Sequence, residues 1–363
     1  GQVPWERTEM NATPTSRTAV PLGRVAGAAA LALLLAGQTQ VSAQPADSAI
    51  QIAGIDHGSL MVRDGVAAPA RMVHGGGPGR ALPAWSPDGE RIAFVQATDR
   101  QVGLADLVVV SATGVELSRV TIEPARSGVA YAGMRAIEAL RWVADDRIAV
   151  RGSINPSQSQ YYVFDVTTKR AVADFIDDRS AAAFSPDGVH VVAHTGGPHF
   201  AHAQQRAMRL ELDGQTLATG ASGEHADILA APRWSNDGRA FAWVVDHRAT
   251  GRVTLAVWRS GEIHEWPLLL SAGQSAELRW SGARIVITVL DGDRTRPTGQ
   301  VWVVDPRDGS TVTTTAAAAP PDPLAPARTL RDRLLAQARA QGLREADAWC
   351  RSCGLEALVR GTE

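Results

Sequence analysis

The sequence predicts an all-β fold, a six-bladed β-propeller of four-stranded antiparallel blades with a short C-terminal helical appendage. Three observations lead to this prediction. An aromatic residue followed by a tight turn and an apolar strand occurs five times along the chain. The leading aromatic residues are separated by 57, 42, 50 and 46 residues, close to the roughly 40–50 residues of one propeller blade. Each repeat also contains segments for four strands, as a propeller blade does.

The repeated hairpin is most complete at residues 85–89, Trp-Ser-Pro-Asp-Gly, which precede the apolar strand 91–95. The proline presets φ at the second turn position, and the glycine supplies the positive φ of a bulged hairpin exit. The strand is apolar on both faces, as expected for a strand covered by sheets on both sides. Related hairpins begin at Trp142, Phe184, Trp234 and Trp280. We expect these aromatic side chains to pack between blades rather than to bind a ligand.

A second pair of strands follows each hairpin, and its first member usually ends at a polar or glycine turn. Residues 50–55, 59–63 and 71–74 form most of one more blade, but without a leading aromatic hairpin. Because a ring needs its first and last blades to meet, a strand is often borrowed from the other terminus. We therefore predict six blades, with the first completed or abutted by chain beyond residue 315.

Residues 1–43 are interpreted as a leader followed by a secretory signal peptide. A short polar region with arginines precedes an apolar run over residues 25–36, and small residues at 41–43 form a cleavage site. The run is shorter than the ~20 residues that span a bilayer, although an uncleaved membrane anchor is the alternative interpretation. The mature protein is expected to begin near Gln44, to be periplasmic or secreted, and to have no stable membrane span.

The charge balance argues against a nucleic-acid partner. The formal net charge is −2, and Lys169 is the only lysine among the 36 basic residues. The arginines are scattered along the chain, whereas nucleic-acid binding requires a clustered basic surface.

The propeller is predicted over residues 44–319, and a proline-rich linker and helical tail over residues 320–363. Apolar residues recur at helical spacing from 324 to 359, and Gly342 is expected to divide this segment into two helices. The tail either packs on the ring or acts as an arm that binds a partner.

The Trp-Ser-Pro-Asp-Gly-x-x-Ile-Ala-Phe pattern resembles the repeat of TolB-type periplasmic propellers. The copies at 85–95 and 184–193 match closely, the copy at 234–243 matches well, and those at 142 and 280 match loosely. The resemblance covers about residues 50–315 and implies export and a propeller that binds proteins of a cell-envelope complex. In that family a separate α/β domain precedes the propeller, and this sequence has no corresponding segment between the cleavage site and the first strand.

His194, His199 and His202 form the densest histidine cluster of the sequence. Histidine is a common ligand of zinc, manganese and copper, so these three residues are the candidate site for a divalent metal. The alternative interpretation is a polar connecting loop that holds no metal. No other cofactor is expected, since no P-loop, H-E-x-x-H or G-x-S-x-G motif occurs.

Cys350 and Cys353 form a C-x-x-C pair and are the only cysteines. In an oxidising compartment they are a possible disulfide. A redox-active or haem-binding interpretation lacks the βαβ surroundings or the following histidine that it requires.

The repeat is specific for an architecture and not for an activity. We predict an exported binding or scaffold protein of the cell envelope that recognises a protein partner through loops at the channel mouth. The alternative is a metal-dependent lyase or hydrolase that acts on carbohydrate in the channel, with the three clustered histidines as ligands.

Overall fold

The computed structural model describes residues 49–76, 79–97, 105–122, 136–155, 158–178, 182–195, 209–217, 226–247, 250–271, 273–291, 296–355 and 358. All of them lie in one compact unit that begins at Gln44. The predicted signal peptide lies outside the described residues and stays a prediction.

The described strands form six antiparallel sheets of four strands each, which confirms the predicted six-bladed propeller. From the inner to the outer strand, blade 1 consists of β24 (Arg344–Trp349), β1 (Gln51–Asp56), β2 (Ser59–Asp64) and β3 (Arg71–His74). In the same order, blade 2 consists of β4 (Arg80–Trp85), β5 (Arg91–Ala97), β6 (Ala105–Ser111) and β7 (Glu116–Ile122). Blade 3 consists of β8 (Ala136–Ala144), β9 (Arg147–Asn155), β10 (Gln158–Asp165) and β11 (Arg170–Asp178).

The remaining three blades follow the same plan. Blade 4 consists of β12 (Ala183–Phe184), β13 (Val191–Thr195), β14 (Arg209–Leu212) and β15 (Gln215–Thr216). Blade 5 consists of β16 (Ala226–Trp234), β17 (Ala240–His247), β18 (Arg252–Arg259) and β19 (Glu262–Leu268). Blade 6 consists of β20 (Ser275–Ser281), β21 (Arg284–Leu290), β22 (Pro297–Val304) and β23 (Thr311–Thr315). Most neighbouring blades contact each other through their inner strands, as expected around a central axis.

The first blade is completed from the C-terminus. Strand β24 pairs antiparallel with β1, so that Gln51 lies opposite Trp349 and Ile52 opposite Ala348. This strand replaces the second helix that the sequence analysis placed after Gly342. That prediction was wrong. Ala346 and Ala348 alternate with charged residues, so the segment has one apolar face, as a strand does. Its pairing with β1 overrides the helical preference of alanine.

One helix precedes the closing strand. A short 3-10 helix (Ala316–Ala318) follows β23, and α1 spans Ala325–Ala340. A proline lies in the first turn of α1, where it removes no intrahelical hydrogen bond. The helix ends two residues before Gly342, whose φ of +91° turns the chain towards β24.

Each pair of blades that are adjacent in sequence encloses a hydrophobic core. A further core lies on the face of blade 1 that is turned away from blade 2. There, helix α1 and the chain after β24 cover the sheet; the buried residues include Ile50, Ile52, Ala327, Leu334, Ala338, Leu343 and Ala348. The helix is therefore part of the folded ring and not a free arm.

The leading aromatic side chains pack against the preceding blade, as predicted. Three indole Nε1 groups donate to a carbonyl of the preceding inner strand: Trp142 to Ala84 at 3.1 Å, Trp234 to Ala183 at 3.0 Å and Trp280 to Arg233 at 2.8 Å. These hydrogen bonds satisfy the one polar atom of a large apolar side chain. They also repeat the same contact at three interfaces of the ring.

In blades 2, 4 and 5, the turn after the leading aromatic residue is held by one serine and one aspartate. In blade 5, Ser235 Oγ accepts a hydrogen bond from Ala240 N–H at 3.0 Å and donates to Asp237 at 2.6 Å. The Asp237 carboxylate also accepts from Arg239 N–H at 3.1 Å. The same arrangement occurs at Ser86 and Ser185. The aspartates thus serve the turns, as their positions in the sequence suggested.

Candidate functional site

A cavity lies between the inner strands of blades 5 and 6 and the start of the C-terminal helix. Its volume is about 640 Å³, within the range of ligand sites in proteins. We call it the blade 5–6 cavity; its walls include Arg233, Trp234, Asn236, Glu277, Arg279, Trp280, Asp322, Leu324 and Arg328. Strands β16 and β20 hold most of these side chains on rigid backbone.

The charged groups of this cavity are held by hydrogen bonds. The Arg279 guanidinium donates to the carbonyl oxygens of Pro320 and Pro321. Asp322 accepts a hydrogen bond from Leu324 N–H at 2.9 Å and forms an ion pair with Arg328. Burial raises the pKa of Asp322, but these hydrogen bonds outweigh it, and the pKa lies below its ordinary value. The carboxylate is therefore ionised at neutral pH.

Arginine precedes the leading tryptophan in blades 3, 5 and 6, at Arg141, Arg233 and Arg279. Because side chains alternate along a strand, these arginines point away from the preceding blade, opposite to the tryptophan. Arg141 lies over the Phe184 ring of the next blade, 4.9 Å from the ring centroid, and donates to Ala182 O at 3.3 Å. In each of the strands β8, β16 and β20, the tryptophan thus contacts the preceding blade and the arginine before it lies on the opposite face of the strand.

A second cavity, of about 320 Å³, is lined by β4, β8, β24 and α1. We call it the blade 1–3 cavity. In its wall, Asp347 accepts hydrogen bonds from Trp85 N–H at 2.9 Å and from the Arg331 guanidinium at 3.1 Å. Glu345 accepts from Leu82 N–H at 2.7 Å. These acidic side chains of the closing strand bind the inner strand of blade 2.

Helix α1 borders both cavities. It contributes Arg328 to the blade 5–6 cavity and Arg331, three residues later, to the blade 1–3 cavity. Residues three apart lie on the same side of a helix. The arrangement provides fixed cations and carboxylates along inner strands, and it is suited to hold charged or hydrogen-bonding groups of a ligand.

The predicted histidine site is only partly described. His194 lies at the end of β13 and is buried, and its backbone N–H donates to Asp177 Oδ1 at 2.9 Å. His199 and His202 lie outside the described residues. Within the described part of the chain, no group of three histidine, cysteine or acidic residues is arranged to hold a metal ion. The metal site, and the carbohydrate enzyme that depends on it, therefore remain predictions without a supporting observation.

Cys350 and Cys353 follow the closing strand directly. Their sulfur atoms are bonded and their Cα atoms are 5.3 Å apart, in the usual range for a disulfide. Cys350 is buried in the core between blade 1 and α1. This disulfide fixes the chain at the point where β24 ends.

The inner-strand arginines and the acidic residues of β24 were not selected from the sequence. The Arg-Trp dipeptides at 141–142, 233–234 and 279–280 were a usable signal. By contrast, the role of Asp347 depends on pairing between chain ends, for which no local pattern exists.

No protein-family model matches this chain, and no curated protein matches it. Solved propellers are similar at low identity. The propeller domain of the trilobed protease from Pyrococcus furiosus is 12% identical, with 74% of this chain and 83% of that chain covered and a TM-score of 0.40. A putative TolB from Agrobacterium tumefaciens is 16% identical, with 73% and 87% covered and a TM-score of 0.34. TolB from Acinetobacter baumannii is 16% identical, with 74% and 66% covered and a TM-score of 0.29.

At these sequence identities and TM-scores, the similarities assign no activity, and the fold assignment rests on the sheet topology described above. Among the described residues, helices are too short or too polar for any of them to cross a membrane.

Proposed function

We propose that this chain is an exported propeller of the cell envelope that binds a protein partner at the mouth of its channel. The proposal is supported by the signal-peptide pattern at the N-terminus and by the TolB-type repeat. The observation that carries it is the blade 5–6 cavity, whose charged walls come from two inner strands and the C-terminal segment.

The rigid backbone of β16 and β20 favours binding at this cavity. Side chains on paired strands lose little further freedom when a ligand binds, so less of the binding free energy is spent on ordering them. The cavity combines arginine side chains with the carboxylates Glu277 and Asp322. Arginine is among the residues most often responsible for affinity at protein interfaces. A partner segment that enters the cavity meets both kinds of charged group.

Site-specific photo-crosslinking in intact cells tests this function. A photoreactive residue replaces Asn236, in the cavity wall, or Leu269, which is 90% exposed and outside the cavity. We expect the first position to form a discrete adduct with one envelope protein and the second to form none. Identical adducts from both positions, or no adduct from Asn236, would contradict binding at this site.

Export is tested separately on the full chain. Osmotic shock should release the protein, and its N-terminus should lie near Gln44. Retention of an intact N-terminus in the cytoplasm would reject export while leaving the result at the cavity unaffected.

A further inference from the structure

The outer strands of the six blades differ in how their free edge is protected. A strand at the edge of a sheet has N–H and C=O groups without a partner strand, and it can pair with another extended chain. Proteins prevent this pairing with charged residues, proline, β-bulges or very short edge strands. Five of the six described outer strands have at least one of these features, and β23 of blade 6 has none.

The five protected strands use different features. β3, β7 and β11 contain charged residues, and each pairs with its neighbour in a register that shifts within the strand. β15 has only two residues. β19 pairs regularly with β18, but it contains two glutamates and Pro267. These edges are therefore unsuited to accept a further strand.

The outer strand of blade 6, β23, has the sequence Thr-Val-Thr-Thr-Thr. It contains no charged residue and no proline, and its five residues are β-branched, which favours an extended strand. It pairs with β22 in an unbroken register, from Val304 opposite Thr311 to Gln300 opposite Thr315. Most of its residues are exposed, and Val312 is exposed by 59%. The edge is therefore regular, neutral and in contact with water.

The hairpin between β22 and β23 shows which backbone groups face outwards. Asp305 N–H donates to Ser310 O at 2.9 Å. Because bonded and non-bonded pairs alternate in an antiparallel ladder, every second residue after Ser310 bonds to β22. The N–H and C=O groups of Thr311, Thr313 and Thr315 therefore point away from β22. Among the described residues, no further strand pairs with this edge.

We propose that β23 pairs antiparallel with β23 of a second copy of this chain, around a twofold axis at Thr313. In that register Thr313 lies opposite Thr313 of the other copy, and Thr311 lies opposite Thr315. The outward backbone groups of the two copies then bond to each other. Thr315 O also accepts from Ala319 N–H at 3.0 Å within its own chain, and a carbonyl oxygen has two lone pairs that can accept both bonds. The two blades thus form one continuous sheet.

The composition of β23 favours a second copy as the partner. A twofold axis places the same residues of the two copies opposite one another, so a charged strand repels its own copy. In β19, for example, Glu265 is the middle residue and would lie opposite itself. β23 instead places threonine opposite threonine at the axis, a pair that stabilises antiparallel sheets.

The size of the strand determines how strong this association can be. Two strands of five residues form a small interface, so we expect a dimer that dissociates on dilution. No residue of β23 lines the blade 5–6 cavity. The proposal is therefore independent of the binding proposed at that cavity.

Sedimentation velocity of the full chain, at concentrations that increase to the millimolar range, tests the proposal. We expect the parent protein to change from monomer to dimer. Thr313→Lys places two cations opposite each other on the axis and should weaken dimerisation at least tenfold. Leu117→Lys is the control, because it adds the same charge to an exposed residue of the outer strand β7. Its dimerisation should remain within twofold of the parent.

A mixture of two charge variants tests the register. Thr313→Lys and Thr313→Glu should each remain monomeric alone. An equimolar mixture should form a heterodimer, because opposite charges then meet at the axis. High salt should weaken this heterodimer, because exposed charge pairs are screened. Circular dichroism of all three variants verifies that each remains folded.

The proposal is overturned if the parent stays monomeric at millimolar concentration, or if Thr313→Lys dimerises as well as the parent. It is also overturned if Leu117→Lys loses as much affinity as Thr313→Lys, or if the mixed variants do not associate. In those two cases the copies meet through another surface or in another register.

Discussion

Blade 1 and the other blades cover the same face of their inner strand with different side chains. In blades 2, 3, 5 and 6 the inner strand directs a buried tryptophan at the preceding unit, and blade 4 directs Phe184 there. In blade 1 the corresponding face of β24 presents Ala346 and Ala348, and helix α1 packs on them. Because these side chains are small, a helix packs on blade 1 at the position where a second sheet packs on each of the other blades.

The tryptophan of the closing strand points the other way. Trp349 packs towards blade 2, where its indole Nε1 donates to Pro87 O at 3.1 Å. Arg351 donates to Asp88 O at 3.2 Å in the same turn. Within the described residues, Trp85 Nε1 is buried and has no hydrogen-bond partner, unlike the indoles of blades 3, 5 and 6. The closing blade holds blade 2 through polar contacts to its turn and backbone, and the regular blades rely on one repeated aromatic contact.

Removing the closing strand should have the largest effect. A chain that ends at Ala340 exposes Ile50, Ile52 and Trp85, which are buried in the folded ring. Each buried apolar side chain contributes about 1.5–3 kcal/mol, so we expect the melting temperature to fall by roughly 10 °C or more. Thermal unfolding followed by circular dichroism measures this. A chain that ends at Leu358 is the control, and equal melting temperatures for both would show that β24 is only an appendage.

Two tryptophan substitutions compare the two kinds of blade directly. Ala348→Trp places the aromatic residue of the repeat against α1 and should cost about 3 kcal/mol through overpacking. Phe184→Trp exchanges one aromatic residue for another at a regular interface and should cost less than about 1.5 kcal/mol. Urea unfolding gives both values. If Ala348→Trp were the milder change, the helix would not be packed closely against β24.

Glycine substitutions separate the contact made by Trp349 from ordinary turn geometry. Gly89 and Gly282 both have positive φ, +74° and +58°. A Cβ on Gly89 would lie 2.5 Å from the Trp349 ring, whereas a Cβ on Gly282 meets nothing within 4 Å. Both alanine variants carry about 1–2 kcal/mol of left-handed strain. Gly89→Ala should lose a further 1–2 kcal/mol through crowding, and Gly89→Ala in a Trp349→Ala background should lose that excess.

Reduction of the cysteine pair should have a modest effect that is confined to blade 1. Cys350 and Cys353 are three residues apart, and so short a loop gives a stabilisation of about 2 kcal/mol in the chain-entropy description. A thiol reductant should lower the stability of the oxidised protein by about this amount. It should leave a Cys350→Ser, Cys353→Ser double variant unchanged. A reductant effect on the double variant would place its origin elsewhere.

The smallest effect concerns pH and the turns of the regular blades. A hydrogen bond from Ser235, followed by one from Arg239 N–H, lowers the pKa of Asp237 below its usual value. A carboxylate with a lower pKa in the folded state stabilises the fold above its unfolded pKa, about 3.9. This contribution is lost as the pH falls below 4 through the folded pKa. Asp237→Asn should therefore flatten the acid limb of the stability curve, measured by urea unfolding between pH 2 and 6.

The regular blades were predictable because their signals are local. The turn at 85–89, with proline and glycine in fixed positions, identifies a hairpin without knowledge of any other segment. The spacing of such turns then gives five blades, and the strands predicted between residues 50 and 74 add the sixth. The closing strand lacks this support, because the chain after Trp349 contains a cysteine pair instead of the Ser-Pro-Asp-Gly turn.

The cavities were less predictable than the fold. Arg328 and Arg331 belong to a helix whose periodicity was recognised, but its position between cavity walls depends on contacts with β24 and blade 6. The histidine segment that the sequence analysis proposed for a metal lies largely outside the described residues.

The pairing of residues 51 and 349 also determines when the protein can finish folding. During synthesis the first three strands leave the ribosome early, yet their missing neighbour β24 is made only after all the strands of blades 2 to 6. Blade 1 must wait with an open edge and an uncovered apolar face while the other blades assemble. If the chain is exported before it folds, this delay occurs beyond the membrane, where the open edge of β1 can pair with other extended chains until β24 arrives.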